Sequence, residues 1–240
     1  MTLRELRDSL RRLGDPVRAA GALRFFKTGP GEYGEGDCFL GVTVPGTRSL
    51  LPRSDGLREA DVLSLLRSKW HEERLLALFI LVRRFAKTAT DEAAREHLVR
   101  LYLANTEWIN NWDLVDSSAP QILGTWLLRR ERERALLRRL ARSKNLWEQR
   151  MAIVATQALI RDGQFDDTLR LSEHFLTHPH DLMHKACGWM LREVGDRDEA
   201  VLRSFLDRHA ARMPRTMLRY SIEKFPEADR KRYLGTRGRQ

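Results

Sequence analysis

Apolar residues recur along this chain with the spacing of one helical face: Leu3, Leu6, Leu10 and Leu13; Leu63, Leu65 and Leu66; Leu75, Leu78, Phe79 and Val82; Leu136, Leu137 and Leu140. A helix with such a stripe must bury it against another element. β-Branched residues are thin, Leu, Ala, Arg and Glu dominate, and no segment reads as a strand. Gly (15) and Pro (8) are slightly below average usage, so few points interrupt a helix. Helix starts are marked by Asp15-Pro16, Asp91-Glu92, Asp181 and Pro214, and stops by Gly29, Gly163 and Gly195. The reading is an all-α chain of about a dozen short helices joined by brief turns.

Three segments resemble one another: Trp70 to Leu81, Trp147 to Leu159 and Asp181 to Leu191. Each sets a basic residue, Arg74, Arg150 or Lys185, ahead of an apolar helical run. Lys185 follows Arg150 by 35 positions and Arg150 follows Arg74 by 76, about two such periods, with Trp108 to Leu128 as the unit between. The period predicts a HEAT-like repeat solenoid of antiparallel helix pairs with a basic concave surface. It would form a single domain over residues 1–233, followed by a basic flexible tail, 234–240, that carries Arg237 and Arg239.

With 240 residues the chain has ample material for a core, as one large or two small units. The longest apolar stretch, Leu75 to Val82, is far short of a bilayer span, which excludes a membrane-embedded chain. The first twenty residues alternate leucine with charge and contain no secretory apolar core. Two cysteines, Cys38 and Cys187, are too few for a disulfide framework and fit a reducing, cytoplasmic setting. Lys+Arg of 43 against Asp+Glu of 33 gives +10, a balance that favours a polyanionic partner, above all nucleic acid. Arginine carries most of that charge and suits bidentate phosphate contacts.

Gly29 to Gly34 matches the Gly-x-Gly-x-x-Gly dinucleotide fingerprint, but it follows a helix instead of a strand, and Glu32 and Glu35 would repel a pyrophosphate. Residues 29–37 read instead as a mobile surface loop. His178, His180 and His184 cluster without the ligands that would complete a zinc site, and His71-Glu72-Glu73 lacks the second histidine of a metalloprotease helix. These histidines read as surface or packed groups. No nucleophile elbow, phosphate loop or kinase signature is present. No cofactor and no metal are expected.

The most unusual run is Trp108 to Pro120, with two tryptophans and two aspartates in nine positions. As one helix it would set Trp108, Trp112 and Asp116 on a single face, an aromatic surface beside a carboxylate. A packed Trp108, and Asp113 or Asp116 capping the helix that opens at Pro120, is the competing reading. Arg150 and Lys185 occupy matching places in the repeat register and Trp189 follows one turn after Lys185, so Arg150 and Trp189 would converge with Trp112 and Asp116 on one concave stripe, although an intrahelical pair for Arg150 and packing for Trp189 are open as well.

On these residues the chain resembles the bacterial DNA alkylation repair proteins of the AlkD family, HEAT-like repeat DNA glycosylases. The resemblance rests on Phe25-Phe26-Lys27-Thr28-Gly29 through Gly36-Asp37 and Phe39 to Val42; on Trp112-Asp113-Leu114-Val115-Asp116; on Trp147 to Arg150; and on Lys185 to Glu193. It implies Asp116 as the catalytic carboxylate, Trp112 and Trp189 as aromatic walls, Arg150 as a phosphate or carboxylate partner, and Lys185 on the DNA. Phe25 or Phe26 takes the place of the family's N-terminal tyrosine, without its hydroxyl. The implied activity is monofunctional hydrolysis of the N-glycosidic bond of 7-methylguanine and 3-methyladenine in duplex DNA. The implied setting is a bacterial cytoplasm, at the nucleoid when bound to DNA, as a monomer with no obligate protein partner. The alternatives from other classes are a noncatalytic HEAT-repeat protein for nonstandard DNA structures and a protein-interaction scaffold.

Overall fold

Side-chain caps set where the first helices begin. Thr2 and Glu5 form a reciprocal capping box at the start of α1 (Leu3–Arg12), and Asp15 Oδ1 accepts the Arg18 amide at 2.9 Å to open α2 (Pro16–Phe25). α3 (Val44–Ser49), α4 (Glu59–Leu66), α5 (His71–Lys87), α6 (Glu92–Leu103, capped by Asp91) and α7 (Trp112–Asp116) follow. The computed structural model describes residues 1–235 and divides into two compact units, Met1–Ser118 and the chain from Ala119 onward.

In the first unit α5 is the central helix, packed by α1, α3, α4, α6 and α7. Every residue from His71 to Leu81 is buried, so this helix is enclosed on all sides, charged N-terminus included. Full burial of each large apolar side chain there stabilises the unit by about 1.5–3 kcal/mol.

The second unit opens with a π-helical turn, Pro120–Gly124, that runs into α8 (Thr125–Leu127). Then come α9 (Ala135–Ala141), α10 (Leu146–Arg161), α11 (Asp166–His174), α12 (Asp181–Arg197), α13 (Glu199–His209), α14 (Arg215–Ser221) and α15 (Glu227–Gly235). α12 packs between α10 and α14, while α9 lies on α10, α11 on both α10 and α12, and α13 on α12. This alternation is an all-α helical repeat. The three look-alike segments fall on α5, α10 and α12, the three longest helices. No strand forms among the described residues; one isolated bridge joins Cys38 to Trp70. None of their helices is long and apolar enough to cross a membrane. Both cysteines are free thiols, Cys187 within the core.

Two boundaries depart from the sequence reading. Gly163 ends α10 with a positive φ of 75°, as expected, but Gly195 does not end α12, which continues to Arg197. A Cβ at Gly195 would run into the Leu202 side chain of α13, so the missing side chain serves close helix packing and not a stop. The residues 29–37 close on themselves: Glu32 accepts the Gly29 amide and Glu35 the Gly31 amide, both at 2.9 Å. The loop's end is no surface feature, because Asp37 is buried. Of the basic tail, Leu234 and Gly235 finish α15; Arg237 and Arg239 lie outside the described residues.

Candidate functional site

The charged head of α5 carries the frame of the site. Glu72 accepts three backbone amides in a row, from Leu40 (2.9 Å), Gly41 (2.8 Å) and Val42 (3.2 Å), which holds the segment after the loop against α5. Gly41 stands at φ 77° with its α-carbon against the Asp15 carbonyl, a position that tolerates no side chain. Glu73 pairs with Arg7 of α1 at 2.9 Å.

His71 uses both ring nitrogens on carboxylates: Nδ1 lies 3.1 Å from Asp37 and Nε2 2.8 Å from Asp113. Asp37 also receives Arg74, and Asn111 Nδ2 donates to it at 3.2 Å. Burial opposes a charged imidazole, but the Asp113 carboxylate, with the hydrogen bonds that the ring donates to both aspartates, overcomes it and holds His71 up to about 9. Burial likewise works against the Asp37 carboxylate, yet the hydrogen bond from His71 and the Arg74 charge keep it below the usual range. His71 is therefore an imidazolium at neutral pH, donating from both nitrogens.

Over this network lies an aromatic stack. Phe39 stacks on the His71 ring (centroids 4.7 Å apart), Phe26 on Phe39 (5.0 Å) and Trp112 on Phe26 (5.5 Å, planes 19° apart). Phe25 meets Trp112 edge-on at 5.9 Å and is 63% exposed. The two phenylalanines thus divide the work: Phe26 is a half-buried layer of the stack and Phe25 offers an open ring face.

α7 starts where Asn111 Oδ1 accepts the Trp112 amide at 2.9 Å. It ends where the Ser117 and Ser118 hydroxyls donate to the carbonyls of Asp113 (2.7 Å) and Leu114 (2.6 Å). Leu114 and Val115 are buried, and Asp113 turns inward to His71. Trp112 and Asp116, four residues apart, are half-buried on one face of this single turn and a half.

Trp108 does not share that face. It closes a 3-10 turn, Thr106–Trp108, and α7 begins only at Trp112, because Asn111 caps a new helix. Neither aspartate caps the turn at Pro120: its N-cap is Ala119, with no side-chain cap.

In the second unit Arg150, on α10, is buried and donates from Nη1 to the Leu182 carbonyl of α12 at 2.6 Å. Lys185 and Trp189 are half-buried one turn apart on α12, Lys185 paired with Asp181 (3.0 Å) and Trp189 Nε1 donating to Glu193 (3.1 Å). The histidines nearby are structural. His178 pairs with Gln149 at 2.8 Å and His184 Nε2 donates to the His178 carbonyl at 2.5 Å. No cluster of metal-ligating side chains forms among the described residues.

The sequence reading missed Asp37, His71, Arg74, Asn111 and Asp113 as a connected group. The available signal was the run His71-Glu72-Glu73-Arg74 heading an otherwise apolar helix. A helix buried on every side buries its charged first turn too, and buried charges need partners.

Residues 6–225 match the family described as DNA alkylation repair enzyme. No curated protein matches the chain. Among solved structures, a predicted DNA alkylation repair enzyme from Enterococcus faecalis is similar in fold, with a TM-score of 0.70 and 16% identity over 89% of this chain and 97% of that one. The family match runs through both units and over the residues of the site just described, and the chain belongs to the DNA alkylation repair enzyme family.

Proposed function

We propose that this member of the family, whose role is in the repair of alkylation damage, is a monofunctional DNA glycosylase with Asp116 as its catalytic carboxylate. The observation that carries the reading is the pairing of Trp112 and Asp116 on one face of α7, a helix anchored on its other faces by Asp113, Leu114 and Val115.

Alkylation at N7 of guanine or N3 of adenine makes the base cationic and a good leaving group. The enzyme then needs chiefly to stabilise an oxocarbenium-like sugar and to position water. Ionised Asp116 supplies the countercharge, and the Trp112 face attracts the developing cation. The open ring of Phe25 adds apolar contact near the lesion. On the second unit Lys185 and Trp189 serve the DNA, with Arg150 setting the first turn of α12 from which they arise. HEAT-like repeats rich in arginine would hold the duplex by its phosphates with little dependence on sequence. Neither a metal nor a cofactor is assigned to the reaction, and a monomer is sufficient for it.

The test is release of free base from duplex DNA carrying 7-methylguanine, compared at equal binding saturation for the wild type and Asp116→Asn. The variant should keep its DNA affinity and lose at least about a hundredfold in release rate. Equal release by both would remove Asp116 from the chemistry. Tight, salt-dependent binding with no release by either would make the protein a noncatalytic DNA-binding member.

A further inference from the structure

Two of the five residues of α7 carry the proposed chemistry, while a third, Asp113, points the other way into a buried charge network. A helix of five residues has almost no stability of its own, so its orientation is set by what its inward side chains hold. Leu114 and Val115 supply apolar contact, which resists sliding weakly because it has no direction. Asp113 supplies the directional bond: its Oδ2 meets His71 Nε2 at 2.8 Å, and its buried Oδ1 has no hydrogen-bond partner.

We propose that His71 is the positioning residue of this site: clamped between Asp37 and Asp113, it fixes the turn that presents Trp112 and Asp116. The inference rests on the glycosylase reading for its catalytic consequence, but the clamp itself does not depend on that reading.

The charges around the ring close on themselves. From the loop comes Asp37; from α7 come Asp113 and the neutral Asn111; from α5 itself comes Arg74, on Asp37. Glu72 and Glu73, the other charged groups of that turn, are committed to the Leu40–Val42 amides and to Arg7. The faces of the ring meet Phe26 and Phe39. Two cations therefore balance two carboxylates in a buried place. Removing the second imidazole proton leaves an excess negative charge there. It also leaves one ring nitrogen as a lone pair facing a carboxylate oxygen, because a neutral imidazole donates from one nitrogen alone. One side of the clamp must open, and the Phe26–Trp112 stack lying over the ring moves with it.

The experiment uses the full chain labelled with 5-fluorotryptophan, whose six tryptophans give resolved fluorine resonances; Trp112 is identified by the one lost in Trp112→Phe. In the wild type the Trp112 resonance should shift between about pH 7 and about pH 10 with a midpoint near 9, the value at which His71 titrates. In His71→Gln it should begin displaced and show no such midpoint, while the other resonances remain those of the folded chain. A Trp112 resonance unaltered by His71→Gln overturns the proposal. Should that variant fail to fold, a wild-type resonance flat across the same pH range overturns it as well.

Base release forms the second arm: His71→Gln should lower kcat by about 10- to 100-fold with KM unchanged, since a small misplacement of a reacting group costs this much. A wild type that releases no base at all sinks the glycosylase reading, yet the fluorine arm still decides the clamp. An unchanged kcat with a displaced Trp112 overturns the catalytic consequence.

Discussion

Tyr102 of α6 and Ser118, just past the end of α7, share a hydrogen bond of 2.9 Å between fully buried hydroxyls. The Ser118 hydroxyl donates onward to the Leu114 carbonyl at 2.6 Å, so the tyrosine is the donor and the serine relays. The two partners are therefore unequal. Tyr102→Phe removes one bond and leaves Ser118 satisfied, at a cost of about 1 kcal/mol. Ser118→Ala strands a phenol hydroxyl in the core and should cost more, about 1–3 kcal/mol. Urea unfolding midpoints at constant m-value check the order; a larger loss from Tyr102→Phe would show that the phenol has another acceptor.

Glu72 spends its whole carboxylate on the amides of Leu40, Gly41 and Val42. Replacing it by Gln keeps the shape but turns an amide NH2 toward backbone N–H groups, and charge-assisted bonds are about twice as strong as neutral ones. Glu72→Gln should destabilise the first unit by about 2–3 kcal/mol. Amide exchange at positions 40–42 should accelerate before global unfolding does. Unchanged protection at those three amides would contradict the role given to Glu72.

His71 links stability to pH in a defined direction. Its pKa in the folded chain, about 9, lies above the ordinary 6.5, so the stabilisation is fully present below pH 6.5 and lost as the pH rises through 9. The loss across that window is ~3 kcal/mol at most, and His71→Gln should flatten it. Asp37 acts on the opposite side: its depressed pKa adds stability that disappears in acid, below 3.8. Urea midpoints measured across the alkaline window, wild type against His71→Gln, check this. Parallel curves for the two would place the alkaline loss elsewhere.

What was legible in the sequence was local. Asp15-Pro16 and Asp91 open helices because a cap and its helix are adjacent in the chain, and Trp112 and Asp116 share a face because the helical period alone puts them there. The family motifs were legible for the same reason. The network beneath them was not, because Asp37 reaches His71 across 34 positions and Asn111 across 74, and no periodicity links them. The Trp108 misreading has a similar origin: spacing cannot reveal that Asn111 interrupts the helix to cap a new one. Phe25 and Phe26 were indistinguishable until packing put one inside the stack and left the other open.

Gly195 is the sharpest case of local evidence overruled by packing, and it yields a sign-changing test. In the interior of a helix, Gly→Ala ordinarily stabilises by about 0.5–1 kcal/mol through the unfolded chain's entropy. Within α12 the new methyl would meet Leu202, itself 1% exposed, and overpacking typically costs 1–3 kcal/mol. Gly195→Ala should therefore destabilise the wild type. In a Leu202→Ala background the obstruction is gone, and the same substitution should stabilise. A double-mutant cycle of urea unfolding energies measures the difference directly, and additive effects of the two substitutions would rule out the contact as the reason for glycine at this position.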